Sequence, residues 1–268
     1  MHLSKISLAL RQWGAAGFSP LSLFASGEQG AWYDPSDLST MFQDSAGTTP
    51  VTTDGQSVGK ILDKSGHGNH ASQATAAARP LYKTDGTYHW LQFDGVDDCL
   101  STSAINFTST NKMSVWTGHM MTGGGTYRSI VELSSDSAAT NGSFGILGNG
   151  NVPYGNYIYF RGTSFFSGQA ILPSAKIVLT TLYDIALSAR ETELSARANG
   201  ATTTLTYAGS VSAGTGMFGT WPLFMGAKNG AASFFTGNIY SIIVRGALST
   251  AQQTTDAEVW VNGKTGAY

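Results

Sequence analysis

Apolar residues along this chain change their spacing once, near residue 30. Before that point Leu3, Ile6, Leu10 and Trp13 recur at helical intervals and would share one face of a short amphipathic helix, which Gly14 and Gly17 interrupt. Ser19-Pro20 opens a second helical piece, with Ser as N-cap and Pro at the first helical position, and Gly27 stands where its stop belongs. Two pieces this short cannot bury both apolar faces within themselves. Leu3, Ile6, Leu10, Trp13, Phe18, Leu23 and Phe24 are therefore expected to dock on a partner or to cover an edge of the chain's own sheet.

From residue 30 onward the texture is that of strands. They are predicted at 31–33, 56–62, 89–93, 112–121, 128–133, 143–147, 156–161, 176–184, 191–199, 202–207, 222–225 and 237–245, bounded by Gly, Asn, Asp and Pro clusters. Many short strands with regular turns make a sandwich. Asn199-Gly200 is the strongest hairpin signal, because a type I′ turn needs two residues that tolerate positive φ. One helix is predicted in the body: Ser249-Thr-Ala-Gln252 has capping-box spacing, the helix stops at Gly263, and Val259 and Trp260 would anchor it. No repeat or linker divides residues 30–268. The expected organisation is an N-terminal docking arm over 1–29 and one all-β sandwich over 30–268.

Composition supports this picture and narrows the function classes. Only 12% of the residues are charged, against roughly 25% in ordinary domains, and 33 glycines serve the turns. A net charge of −2 with no basic stripe takes nucleic acid out of the expected partners. Cys99 is the only cysteine, which excludes an intrachain disulfide and leaves it as a small buried hydrophobe. No apolar run approaches the ~20 residues of a membrane span. Arg11 and Gln12 interrupt the N-terminal apolar patch too early for a signal peptide, so synthesis in the cytoplasm without membrane insertion is expected.

Three stretches, Gly30-Ala-Trp-Tyr-Asp-Pro-Ser-Asp37, Asp63-Lys-Ser-Gly-His-Gly-Asn-His-Ala71 and Leu91-Gln-Phe-Asp-Gly-Val-Asp-Asp-Cys-Leu100, together resemble the opening of concanavalin A-like (laminin G-like) jelly rolls of bacterial and bacteriophage proteins. The Arg197-Ala-Asn-Gly200 hairpin, Leu223-Phe-Met-Gly-Ala227 and Phe235-Thr-Gly-Asn-Ile-Tyr-Ser-Ile-Ile-Val244 resemble its close. The resemblance implies an all-β, concanavalin A-like jelly-roll sandwich. Within the phage-like members, residues 22–25 and 27–30 after an N-terminal arm resemble virion components of tailed phages: tail, fibre or surface-decorating proteins. That implies a place on the virion surface, contact with other virion proteins through the arm, and a homo-oligomer with a trimer as its form. No coiled-coil heptads add to that.

Relatives in this fold carry calcium, and Asp94, Asp97 and Asp98 lie on one turn where carboxylate oxygens can ligate it. Asp side chains in such turns also bond nearby backbone N–H groups. His67 and His70 flank Gly68-Asn69 without a third ligand and read as a structural turn. Enzymes of this fold carry Glu-x-Asp-x-Glu on one strand face, where retaining glycosidases need paired carboxylates. That motif is missing here. Glu191-Thr-Glu193 lacks a third carboxylate and is expected on a solvated face, and Glu132 stands alone, so no catalysis is expected.

What remains is a surface that binds. Sugar sites join an aromatic platform to amides and carboxylates that match the hydroxyls. Tyr154, Asn156, Tyr157, Tyr159 and Arg161 form the densest such stretch, with Tyr127 and Trp221 beside loops; for each, packing at a sheet edge or an oligomer contact is the commoner use. Alternation puts Tyr157 and Tyr159 on one face and turns Ile158 and Phe160 to the core. The leading expectation is a virion-associated module that contacts host-surface polysaccharide. A particle-bracing decoration protein is the alternative, and a glycan-cleaving enzyme the third.

Overall fold

In the computed structural model, residues 17–123, 125–136, 139–150, 154–172, 174–185, 193–210 and 212–268 are described. Leu3, Ile6, Leu10, Trp13 and Glu191 lie outside them. The strands, in chain order, are β1 (Gly30–Tyr33), β2 (Met41–Phe42), β3 (Lys60–Ile61), β4 (Ala71–Ser72), β5 (Leu81–Thr84), β6 (His89–Asp94), β7 (Leu100–Asn106), β8 (Lys112–Met121) and β9 (Arg128–Leu133). They continue with β10 (Ser143–Asn149), β11 (Gly155–Arg161), β12 (Phe165–Ile171), β13 (Lys176–Asp184), β14 (Leu194–Ala198), β15 (Ala201–Thr202), β16 (Leu205–Gly209), β17 (Thr220–Met225) and β18 (Thr236–Arg245). Helix α1 (Ala251–Thr265) follows.

These strands form two antiparallel sheets, a jelly-roll sandwich. One has eight strands in the order β15-β14-β13-β8-β18-β6-β5, with β1 also paired to β18; the other has ten, β16-β12-β11-β10-β9-β17-β7-β4-β3-β2. Alternation sends one side chain of each pair inward. From the ten-stranded sheet Phe144, Phe160 and Phe166 meet Tyr183 and Phe93 of the other sheet in a single core, all at most 1% exposed. Phe160 lies edge-on to Tyr183 at 5.4 Å, and such pairs add about 0.5–1.5 kcal/mol to the area they bury.

The strands over 112–121, 128–133 and 176–184 fall where alternation predicts them. Asn199 and Gly200 both take positive φ, 50° and 75°, and close the β14–β15 hairpin as the type I′ signal requires. Three expectations change. The strand predicted at 56–62 shrinks to Lys60–Ile61. The one predicted at 202–207 divides, because the chain leaves the eight-stranded sheet after Thr202 and joins the ten-stranded sheet at Leu205. β2, β4, β5, β7 and β12 are new, the last with Phe166, Gly168 and Ala170 turned inward.

Part of the outer face of the eight-stranded sheet is covered. The 3-10 turn Pro20–Phe24 starts as predicted, with the Ser19 hydroxyl accepting from the Leu21 N–H. Its Leu23 and Phe24 pack with Trp32, Trp116, Val178 and Ile243, and Phe18 leans on the same cluster. Leu23 and Phe24 are thus buried against the chain's own sandwich and are not free docking side chains.

α1 completes this layer. Its capping box is Thr250 with Gln253, one residue later than expected, because Ser249 is bonded through its N–H to the Ser114 hydroxyl. The helix passes Gly263 and ends at Gly266 in the left-handed conformation. Ala257 and Val261, rather than Val259, are its buried anchors, while Trp260 packs edge-on against Trp32 at 5.4 Å. Arg197 pairs with Glu258 through two bonds, 2.7 and 3.1 Å, tying the helix to the hairpin.

Candidate functional site

The outer face of the ten-stranded sheet carries no helix among the described residues, and the sequence candidates gather along it. On β11 the expected alternation holds: Ile158 and Phe160 enter the core, and Tyr157 and Tyr159 turn away from it. Gly145 on β10 sits between Tyr159 and Glu132 in the pairing register. A side chain there would meet the Tyr159 ring at 2.3 Å, so the glycine lets the ring lie flat over the sheet toward Glu132.

Glu132, alone in the sequence, is not alone in the fold. Only 1% exposed, it accepts from the Tyr159 hydroxyl at 2.6 Å and the Ser134 hydroxyl at 2.8 Å on one oxygen, and from the Asn229 N–H at 2.9 Å on the other. A buried carboxylate needs such donors. The bonds also fix the loop after β17, which returns to the face where the Ser129 N–H donates to the Ser233 carbonyl at 2.8 Å. Tyr159, 3% exposed, is therefore a strut beneath the face and not a contact residue.

Asn156 also leaves the candidate list. It points inward, is fully buried, and lies with its amide nitrogen 3.3 Å from the Leu147 carbonyl and 3.5 Å from the His119 ring. Burial drives His119 down to about 3, so that ring is neutral at physiological pH. Tyr154 and Trp221 rest against the rim of the core, half-buried. Trp221 donates its indole N–H to the Asn141 carbonyl and Arg161 its Nε–H to the Asn141 side chain, both at 3.1 Å, so the two meet around a residue that no sequence pattern singled out.

Tyr127 and Tyr157 remain open. Tyr127 is 53% exposed and its ring stands edge-on to Tyr157, centroids 5.1 Å apart at 85°. Its φ of 59° lies in the left-handed region, a strain of about 1–2 kcal/mol for a residue with a side chain. Burial raises the Tyr157 hydroxyl above its ordinary value and the Tyr127 charge adds to this, while a bond to Ser167 opposes it. Gln169, exposed, is paired beside Tyr157 on β12. The result is an aromatic step with an amide next to it on an open sheet face.

Two other motifs resolve as structure. Asp63 accepts from the N–H groups of Trp32, Ser65 and Asn69, and Asn69 donates to the Gly30 carbonyl at 2.7 Å, so the 63–71 stretch knots its loop onto β1. His67 bonds the Glu28 carbonyl at 2.7 Å, and the His70 ring accepts from the Asp63 N–H at 3.0 Å. Glu193, expected on a solvated face, is buried and accepts from the Ser212 hydroxyl at 2.7 Å and the Ala213 N–H at 3.2 Å. Burial raises its carboxyl above the usual range.

Asp94, Asp97 and Asp98 each offer one oxygen, all within 4.8 Å of one another. An all-oxygen set at that spacing fits calcium, and these three would hold it. The turn also uses them internally: Asp98 accepts from the Asp94 N–H at 2.9 Å and Asp94 from the Val96 N–H at 2.8 Å. Burial, with the Asp94 and Asp97 charges, raises Asp98 to about 6.

No family model matches the chain, and no curated protein matches its sequence. Among solved structures it is similar to the botulinum neurotoxin serotype G binding domain, with a TM-score of 0.52 and 10% identity over 75% of this chain and 48% of that one. The receptor binding domain of botulinum neurotoxin D gives 0.51 and 9% over 74% and 49%. The chain thus spans about half the length of these structures, and the likeness is one of fold. The Ruminococcus gnavus IT-sialidase CBM40 bound to alpha2,3 sialyllactose also matches, at 0.42 and 12% over 57% and 82%.

Proposed function

We propose that this chain is a carbohydrate-binding module that holds a polysaccharide without cleaving it, through the outer face of the ten-stranded sheet. The Tyr127–Tyr157 step carries this reading: an exposed ring braced edge-on by a second and flanked by Gln169. Aromatic faces pack on the apolar face of a pyranose, and amides take its hydroxyls. The structures of the same fold include two named as a binding domain and a receptor binding domain. Glu132, the carboxylate on this face, has both oxygens engaged by donors, which supports binding over hydrolysis.

The resemblance of residues 22–25 and 27–30 to tailed-phage virion proteins supports a setting on a virion surface, with host-surface polysaccharide as ligand. Leu3, Ile6, Leu10 and Trp13 then carry the attachment to other virion proteins, since Leu23 and Phe24 are taken up by the sandwich.

Binding of the labelled full chain to a panel of bacterial surface polysaccharides, with and without EDTA, tests the reading. Saturable binding to at least one, weakened about tenfold or more in Tyr127→Ala, is the expected result. Failure to bind any of them, or binding that Tyr127→Ala leaves unchanged, overturns it.

A further inference from the structure

The outward residues of β12 run Ser167, Gln169, Ile171, with Ala170 between the last two turned into the core. Gln169 is paired with Tyr157 and Ile171 with Gly155, so strands about 4.8 Å apart set an amide and an apolar side chain beside the Tyr127–Tyr157 step. Ile171 is 65% exposed, and its neighbour across the strand pair has no side chain. What lies over Gly155 is the Gln169 amide, whose nitrogen would stand 3.7 Å from a Cβ at that position. The amide is thus on the Ile171 side of Tyr157. It neither donates to nor accepts from any group among the described residues, and it keeps two donors and an acceptor for a ligand.

No charge accompanies this group among the described residues. Thr206, paired beside Gln169 on β16, is exposed and neutral. Arg161 stands at the other end of β11, bonded to Asn141. Arg128 is in register with Gly148, Asn156 and Ala170, the row that faces the core. A carboxylate or sulfate on a ligand would therefore lose its water here without gaining a cation. An acetamido group matches what is present. Its N–H and C=O pair with the Gln169 oxygen and N–H as one amide pairs with another, and its methyl covers Ile171 while the pyranose lies on the tyrosines. A hydroxyl in its place would meet the amide and leave Ile171 in water.

We propose that this face selects neutral 2-acetamido sugars, with Gln169 and Ile171 as the residues that set the preference. The proposal rests on the reading of the face as a sugar site and adds the class of sugar it takes.

The test is calorimetric titration of the full chain with neutral tetrasaccharides, paired so that carbon 2 carries acetamido in one member and hydroxyl in the other: N-acetylglucosamine against glucose, and N-acetylgalactosamine against galactose. In at least one pair the acetamido member is expected to bind about tenfold tighter or more. Ile171→Ser, at an exposed position, is expected to remove that difference by weakening only the acetamido member. Gln169→Leu, also exposed, is expected to weaken the acetamido member about tenfold. Equal binding within both pairs, a preference for hydroxyl, a preference that Ile171→Ser leaves in place, or no binding of any of the four overturns the proposal. Tyr127→Ala separates this failure from that of the reading beneath it. Where the hydroxyl tetrasaccharides or a surface polysaccharide bind, and Tyr127→Ala abolishes that binding, the face remains a sugar site and only the acetamido selection falls.

Discussion

On the outer face of the eight-stranded sheet, Trp116, Val178 and Ile243 lie under a helix and a 3-10 turn and are fully buried. On the outer face of the ten-stranded sheet, Glu132 and Tyr159 are closed off by hydrogen bonds, one of them from the loop after β17, while Tyr157 stays open. Both faces flank the same core. The first is stabilised, where helix and turn cover it, by apolar burial. The second is stabilised by directed bonds beneath a surface that stays open, with Tyr127 strained and 53% exposed at its edge. Strain and exposure together mark the place where contact, rather than packing, decides the residue.

Four changes sharpen or break that contrast. The largest effect belongs to the covered face: Trp116→Ala, at a fully buried position, is expected to lower unfolding free energy in urea by about 3–5 kcal/mol. Tyr159→Phe removes one donor from the buried Glu132 carboxylate and is expected to cost about 1–3 kcal/mol in the same assay, with hydrogen exchange at Asn229 accelerated. Tyr127→Ala is expected to change stability by no more than about 0.5 kcal/mol while polysaccharide binding falls about tenfold. A stability loss as large as that of Tyr159→Phe would make Tyr127 a packing residue and erase the contrast.

The smallest effect is a pH dependence at the aspartate turn. Asp98 is raised to about 6 in the folded chain, against about 3.9 in an unfolded one. Its contribution to stability is therefore full below about pH 4 and is lost as pH rises through about 6. In EDTA, Asp98→Asn is expected to raise the Tm at pH 7.5 relative to the parent and to leave it unchanged near pH 3.5. Added calcium should restore the parent chain at pH 7.5 and do nothing for the variant, because the ion binds the carboxylates of the folded state.

Much of the fold was legible because alternation and turn chemistry are local. Lys112–Met121 announces itself by length, Lys176–Asp184 by length and β-branched content, and Asn199-Gly200 by the positive φ its turn demands. The two-residue strands β2 and β4 escape such reading, since a pair of residues carries no period. β12 escaped because Gly168 and Ala170 on its inner side mute the alternation.

The candidate site was legible in part. Tyr157 and Tyr159 were assigned the right face, yet nothing local distinguishes the open ring from the strut. That difference comes from Glu132 and Asn229, which lie far from both in sequence. Asn156 shares the face of Ile158 and Phe160, so alternation alone places it inward; only its partner His119, from the opposite sheet, is beyond local reading. The alternating Glu132 and Ser134, with a glycine across the strand at Gly145, is the pattern that could have pointed to a supported carboxylate.

The most direct test of the central claim is amide chemical-shift mapping of the intact chain with a polysaccharide fragment that it binds. The account predicts that the shifts centre on Tyr127, Tyr157 and Gln169, with the amides of α1 unmoved. Shifts centred on α1 and the Trp116 layer, with Tyr127 and Tyr157 silent, would contradict it.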